Sequence, residues 1–300
     1  VYPEEEKPFW QWDKTVKAVT EPEKYVLETA DTIVSQETID ETRAQLGLDK
    51  PFIVQYANWV VNAAQGDLGM SYSAKKPVVD RMLEALPGTL ALAGTALVFT
   101  ILYALPAGIL SAYNRNKWID YVLRSLSFIG VSMPTFWLGL VLIYIFGLKL
   151  GLVPIASSRI TATGVILPAV TLAVVVGSKY MRQVRLVILE EMQKDYVIGA
   201  RARGVSEMKI LFGHILPNAV LPLITILGVL IGWLLGGVAV VEMVFSWPGL
   251  GNMAVYAITM RDYPLIEGFV LWVALAYMCI NALVDASYIL LDPRLKRERA

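Results

Sequence analysis

"GTLALAGTALVFTILYALPAGILSAY", Gly88 to Tyr113, runs for 26 residues without a charge. As an α-helix, an uncharged apolar run of about 18 or more residues can cross a hydrocarbon core about 30 Å thick. The stretch therefore reads as a membrane span, and others follow it. Leu126 to Leu148 is also uncharged. Ala162 to Gly177 is shorter, interrupted by Gly and Pro, and reaches full length only if it continues through Lys179 and Met181. Leu221 to Phe245 carries Glu242 near its end, and Gly268 to Leu290 carries Asp285 inside it.

Composition points the same way. Of 300 residues, 56% are hydrophobic and 17% charged, with a mean hydropathy of +0.55. A soluble domain carries about a quarter charged residues. Period-two alternation is absent, so helices rather than a barrel must satisfy the backbone in lipid. The expected fold is all-α, a polytopic membrane helical bundle with five visible spans. A polar N-terminal region on the outer side needs an upstream segment, so a sixth span or a removed signal is expected ahead of Val1.

Charge orients the bundle. Residues 1–87 hold 9 basic and 15 acidic residues, a net of −6, and the remainder holds 17 and 11, a net of +6. The loops after the first and third spans, together with the C-terminal tail, carry fourteen Lys and Arg; the alternate loops carry three, Lys149, Arg159 and Arg261. The positive-inside rule puts the loop around 182–214 and the C-terminus in the cytoplasm and residues 1–87 outside. Two regions are expected: 1–87, extracytoplasmic with short helices, and 88–300, the transmembrane domain. Thr38-x-x-Glu41 reads as a capping box for a helix ending at Gly47. Pro51 opens a second helix with Ile53, Tyr56, Trp59, Val60 and Ala63 near one face, and Pro77 opens a third that leads into the first span.

Several chemistries have no residues to carry them. There is no Walker-type loop, nucleophile elbow or Cys/His cluster, and there is one histidine, His214, and one cysteine, Cys279. No enzyme activity, cofactor, metal site or nucleic-acid partner is expected, and Cys279 reads as a small apolar filler inside the last span. His214 reads either as a pH or metal element or as a polar contact at a helix end.

Between the third and fourth spans stands "GARARGVSEMKILFGHILP", Gly199 to Pro217. Met181, Val184, Ile188 and Met192 precede it at helical spacing, and a second helix with Ser206 at its N-cap follows a break at Gly204. Composition alone leaves two readings, a basic loop that fixes topology or a docking element. This segment resembles the EAA-type signature of ABC importer permeases. Gly204 takes the glycine position, Ala200 the second alanine and Leu216-Pro217 the terminal pair; Ile198, Gly199 and His214 depart from the pattern. The Ala-Arg-Ala-Arg-Gly run is similar to that of the dipeptide, oligopeptide and nickel permease family. So are "LGLDKPFIVQYANWV", "GDLGMSY", "GVSMPTFWLGL", "VVEMVFSWPGLGNMAVYAITMRDYPLI" and "NALVDASYILLDPRLK".

The resemblance implies one half of a translocation path, paired with a second homologous permease subunit in membrane lipid. It also implies cytoplasmic ABC ATPase subunits that bind ATP and Mg, and an extracytoplasmic substrate-binding protein. Ala200, Arg201, Ala202, Arg203, Gly204, Val205, Leu216 and Pro217 would form the ATPase-coupling segment, with Pro217 ending it and redirecting the chain. The implied cargo is di- or oligopeptides, with nickel, nickel chelates or oligosaccharides as alternatives. An ion-driven secondary transporter, the reading from another class, would need several buried carboxylates and paired broken helices.

Path residues are sought where polar groups interrupt spans. Pro134 is expected to break its helix, leaving Ser132, Met133 and Thr135 either facing the path or serving a packing kink. Glu242 reads as a path cap or as a plain interfacial carboxylate. Asp285, with Asn281 a turn before it, reads as a hydrogen bond between helices or a substrate contact.

Overall fold

The computed structural model describes residues 49–291. The helix expected at Thr38–Gly47 and the basic tail lie outside them. The chain divides into two compact units, residues 1–65 and 66–300. In the first, α1 (Phe52–Ala64) buries no residue and aligns Phe52, Tyr56 and Trp59 as a stacked aromatic row, with centroids 6.4 and 6.3 Å apart.

The second unit begins with α2 (Val78–Tyr113), a single 36-residue helix. The short helix expected after Pro77 and the first span are therefore continuous, and the boundary expected at residue 87 falls inside a helix. Pro87 and Pro106 each lack an amide hydrogen, yet the helix passes through both. In apolar surroundings, ending a helix would expose several backbone groups, whereas one proline removes a single donor. Ala96, Thr100, Ala104, Gly108 and Ala112 recur every fourth position, and all five are buried. This small-residue stripe lets α2 lie close against α5 (Ile166–Glu191).

The second expected span is two helices. α3 (Trp118–Ser132) and α4 (Thr135–Leu142, continued by a π-helical stretch, Ile143–Lys149) meet at a 101° bend. Pro134 cannot donate to the ladder and pushes Met133 into an extended conformation, ψ 129°. α5, the third expected span, is amphipathic rather than uniformly apolar. α2, α3, α4 and the later helix Leu216–Gly237 pack around it, so protein rather than lipid receives most of its faces.

α6 (Asp195–Ala202) and α7 (Glu207–Ile210) follow, and a π-turn, Leu211–Ile215, leads into α8 (Leu216–Gly237). Glu207–Leu235 runs as one 29-residue rod. Pro217 therefore does not redirect the chain as expected. It sits in the first turn of α8, where its missing N–H falls at the π-turn and breaks nothing. The fourth span also ends earlier than expected, at Gly237, and Glu242 lies on a separate short helix, α9 (Ala239–Val244). α10 (Leu250–Thr259) and α11 (Tyr263–Leu291) complete the unit. Among the described residues, three helices are long and apolar enough to cross a membrane, α2, α7–α8 and α11, and the bent pair α3–α4 makes a fourth if it is one span. Cys279 lies on the exposed surface of α11 rather than packed within the chain, as does most of that helix.

Candidate functional site

The α6–α7 hairpin has an anchored side and an open side. Val197 and Ala200 from α6 and Ile210, Leu211 and Ile215 after the corner are all buried in the main core. Ile198, Arg201, Ala202, Arg203, Met208 and Phe212 are exposed. Alternating buried and exposed residues on so short an element fixes it to the bundle while presenting a mixed apolar and basic surface.

The corner has a backbone cause. Gly204 N–H donates to Arg201 O at 2.9 Å and Val205 N–H to Ala200 O at 3.2 Å, the paired bonds of a Schellman stop. The stop needs a left-handed residue, and Gly204 supplies it at φ +77°. Arg201 Nε and Nη2 then donate to Glu207 Oε1 and Oε2 at 2.7 and 3.0 Å, bracing the turn with a bidentate pair. Ser206 occupies the N-cap position of α7, but its hydroxyl makes no capping bond. The entry is pinned too: Glu191, nearly buried, accepts from Lys194 and from the Tyr196 hydroxyl at 2.7 Å. Burial and donation to that carboxylate push the Tyr196 pKa up to about 12. Leu216 is half-buried and Pro217 exposed, both more than two helical turns beyond the corner. His214 is half-buried, and the described residues contain no group of three His, Cys, Asp or Glu able to hold a metal.

Glu242 meets the first third of α2 at Thr89 and is fully buried in the protein rather than exposed at its surface. Its carboxylate accepts the Thr89 hydroxyl at 2.7 Å and the backbone N–H groups of Asn252 at 2.9 Å and Gly251. Thr89 Oγ1 in turn accepts Leu250 N–H at 2.8 Å. Together they satisfy the first three amide groups of α10, a cap supplied from outside the helix. A Cβ on Gly249 would collide with that carboxylate. Trp247, also fully buried, donates Nε1–H to Gly88 O at 2.8 Å and locks the corner onto α2.

Two motifs distant in sequence meet at Asp262, past the other end of α10. Ser71 and Ser73 donate their hydroxyls to Asp262 Oδ2 at 2.6 and 2.7 Å, and Ser73 N–H adds a bond at 3.0 Å. Asp262 is fully buried. Burial alone would raise its pKa, but these donors and Tyr72 N–H outweigh it and hold the carboxyl down at about 2.

The other expected path residues are scattered. Ser132, Met133 and Pro134 line an open apolar cavity of about 420 Å³ with Phe136 and Trp137; Ser132 spends its hydroxyl on Phe128 O at 2.8 Å, and Thr135 is half-buried. Asn281 is half-buried and Asp285 exposed on α11, and neither forms a hydrogen bond to another helix among the described residues. Asp120, which sequence reasoning passed over, is the fully buried carboxylate that binds an arginine. It accepts Ser111 Oγ at 2.6 Å, Asn116 N–H at 3.0 Å and both Nε and Nη2 of Arg185. Asp-x-x-x-Arg across Asp120 and Arg124 was the available signal.

Comparison with known proteins is consistent across methods. Residues 104–297 match the family described as "Binding-protein-dependent transport system inner membrane component", and residues 18–93 match its N-terminal companion. The chain is 38% identical over 260 residues to the glutathione transport system permease protein GsiC of Escherichia coli strain K12, covering 87% of this chain and 85% of that one. The protein of the same name from Shigella boydii serotype 4 is 37% identical over the same share. Among solved structures, the MetNI methionine ABC transporter in an inward-facing conformation superposes with a TM-score of 0.58 at 21% identity, covering 71% of this chain and 96% of that one. An amino acid ABC transporter gives 0.55 at 18% identity, covering 69% and 92%. At those identities the structures speak to the fold alone.

Proposed function

We propose a role that starts from a settled premise: the chain belongs to the family of inner membrane components of binding-protein-dependent transport systems, and it is a multi-pass ABC importer permease subunit, not an enzyme. In this role the α6–α7 hairpin docks a cytoplasmic ATPase, which supplies ATP and Mg chemistry from its own residues. A second permease subunit completes the path, and an extracytoplasmic protein delivers the cargo. Residues 182–214 and the C-terminus face the cytoplasm and residues 1–87 face outward, in line with the charge asymmetry. The cargo is a short peptide of the glutathione kind, a reading supported by the relatives' names.

One observation carries the docking assignment. The hairpin is anchored by Val197, Ala200 and Ile210, yet leaves Ile198, Met208 and Phe212 exposed beside Arg201 and Arg203. Large apolar residues ringed by arginine on a braced corner suit a helix-in-groove contact that transmits force. The test is Phe212→Asp with Ile198→Asp, neither of which touches the core. Membranes should retain the protein while ATPase copurification and ATP-dependent uptake of labelled glutathione are lost. ATPase binding equal to that of the parent protein would overturn the docking assignment. Cargo is tested separately by the ligand that the cognate binding protein retains; a sugar or a metal chelate there would overturn the peptide reading.

A further inference from the structure

α3 and α5 enclose a cavity of about 570 Å³ whose wall is basic at one end and apolar at the other. Arg124, Arg182 and Arg185 gather at the basic end with Tyr121 and Ser125. The three arginines are not equivalent. Arg185 spends Nε and Nη2 on Asp120, so that pair is internally neutral. Arg124 lays its guanidinium over the Tyr121 ring, 4.7 Å from the centroid, and its Nε lies 3.3 Å from Asp120 Oδ1 without an aligned hydrogen bond. Arg182 is exposed and has no hydrogen bond or ion pair among the described residues. With one carboxylate, Asp120, against three guanidiniums, the lining carries a net excess of two positive charges, and Arg182 among them is exposed with no protein partner among the described residues.

The apolar end continues into the cavity at the α3–α4 bend. Phe128 and Ile129 line both, and Trp137 and Phe136 extend the second. The result is one groove along α3 from Arg124 to the bend at Pro134, about 12 Å of helix to Ser132 at 1.5 Å per residue. That length is close to the depth of one leaflet, half of a hydrocarbon core about 30 Å thick. A soluble anion would use only the basic end, and an uncharged lipid only the apolar end.

We propose that this groove binds an anionic phospholipid, its phosphate held by Arg124 and Arg182 and an acyl chain lying along Phe128, Ile129 and Trp137. Tyr121 stacks on the Arg124 guanidinium and fixes its plane, and Asp120 occupies Nε and Nη2 of Arg185. Each arginine near an anionic headgroup contributes about fivefold in affinity.

The experiment uses the assembled importer in detergent, with native mass spectrometry counting bound phosphatidylglycerol against phosphatidylcholine added at equal concentration. The expected result is a preference for phosphatidylglycerol that falls about fivefold in Arg182→Gln and about 25-fold in Arg124→Gln/Arg182→Gln. Arg182→Gln removes no internal contact, so its melting temperature should match the parent's. Phe128→Ala/Trp137→Ala should weaken long-chain phosphatidylglycerol while leaving a short-chain analogue unaffected. An unchanged preference in the double arginine variant overturns the proposal. So does displacement of the lipid by millimolar inorganic phosphate, which would make the site one for a soluble anion.

Discussion

Arg185 reaches Asp120 across 65 residues of sequence through two parallel hydrogen bonds, 2.8 and 2.9 Å, one to each carboxylate oxygen. Ser111 and Asn116 N–H fill further acceptor positions. The end of α2, the first turn of α3 and the last third of α5 are thereby joined at one buried charge. Such a pair need not outperform apolar packing, but severing half of it strands a charge in a low-dielectric interior.

Asp120→Ala should therefore destabilise the bundle by about 3–5 kcal/mol, leaving Arg185 unpaired. Arg185→Lys should cost less, since a single ammonium replaces the fork with a point charge. Thermal melting of the detergent-solubilised protein reads both, and an Asp120→Ala variant that melts with the parent would refute the account.

Gly204→Val and Gly204→Asn separate backbone conformation from side-chain crowding. A Cβ at Gly204 meets nothing within 4 Å, so size alone is tolerated. A β-branched residue at φ +77° costs about 1–2 kcal/mol locally, whereas Asn visits that region readily. Valine should abolish ATP-dependent uptake with little change in melting, and asparagine should retain most of it. Equal uptake by both variants would show that the corner is not needed.

Asp262 sets an acid limit. Its folded pKa of about 2 lies below the ordinary aspartate value of about 3.9. A depressed carboxylate stabilises fully above the unfolded value, and the contribution disappears as pH falls from about 4 through about 2. The contribution is roughly 2–3 kcal/mol. Melting followed between pH 6 and pH 2 should drop across that window in the parent and lose most of the drop in Asp262→Asn or Ser71→Ala/Ser73→Ala. An identical pH profile in those variants would contradict the clasp.

Glu242 is predicted to act as a cap rather than to touch cargo. Glu242→Gln replaces one acceptor with a donor facing the α10 amides and should cost about 1–3 kcal/mol. Gly249→Ala, which leaves the carboxylate chemistry intact but displaces it, should be comparably damaging. If Glu242→Gln melts normally while transport selectivity changes, the capping role is wrong.

The spans were legible because hydrocarbon demands long uncharged runs, and Gly88–Tyr113 met that demand without ambiguity. The break at Pro134 was legible for a local reason, a missing donor. What escaped was non-local. Nothing near Pro77 announces that its helix will run through Pro87 to Tyr113, and Pro217 read as a stop because the preceding π-turn leaves no mark in the residue pattern. Glu242 looked like a path or surface carboxylate because its partners, Thr89 and the amides of Gly251 and Asn252, lie 153 residues upstream and up to 10 downstream. Asp120 was missed because attention to basic residues as topology markers passed over the one acid that binds them. The hairpin itself was foreseen through Gly204, since a positive-φ stop is one of the few tertiary features that a single residue type announces.

The rod from Glu207 to Leu235 turns the hairpin into the short arm of a lever. Twenty-nine residues at 1.5 Å each span about 43 Å, so a tilt of about 10° at the corner displaces the far end by roughly 7 Å. A hinge at Pro217 would have absorbed that tilt within one turn. Because the helix continues through it, a displacement imposed on the corner would be carried along the whole helix rather than absorbed at the proline.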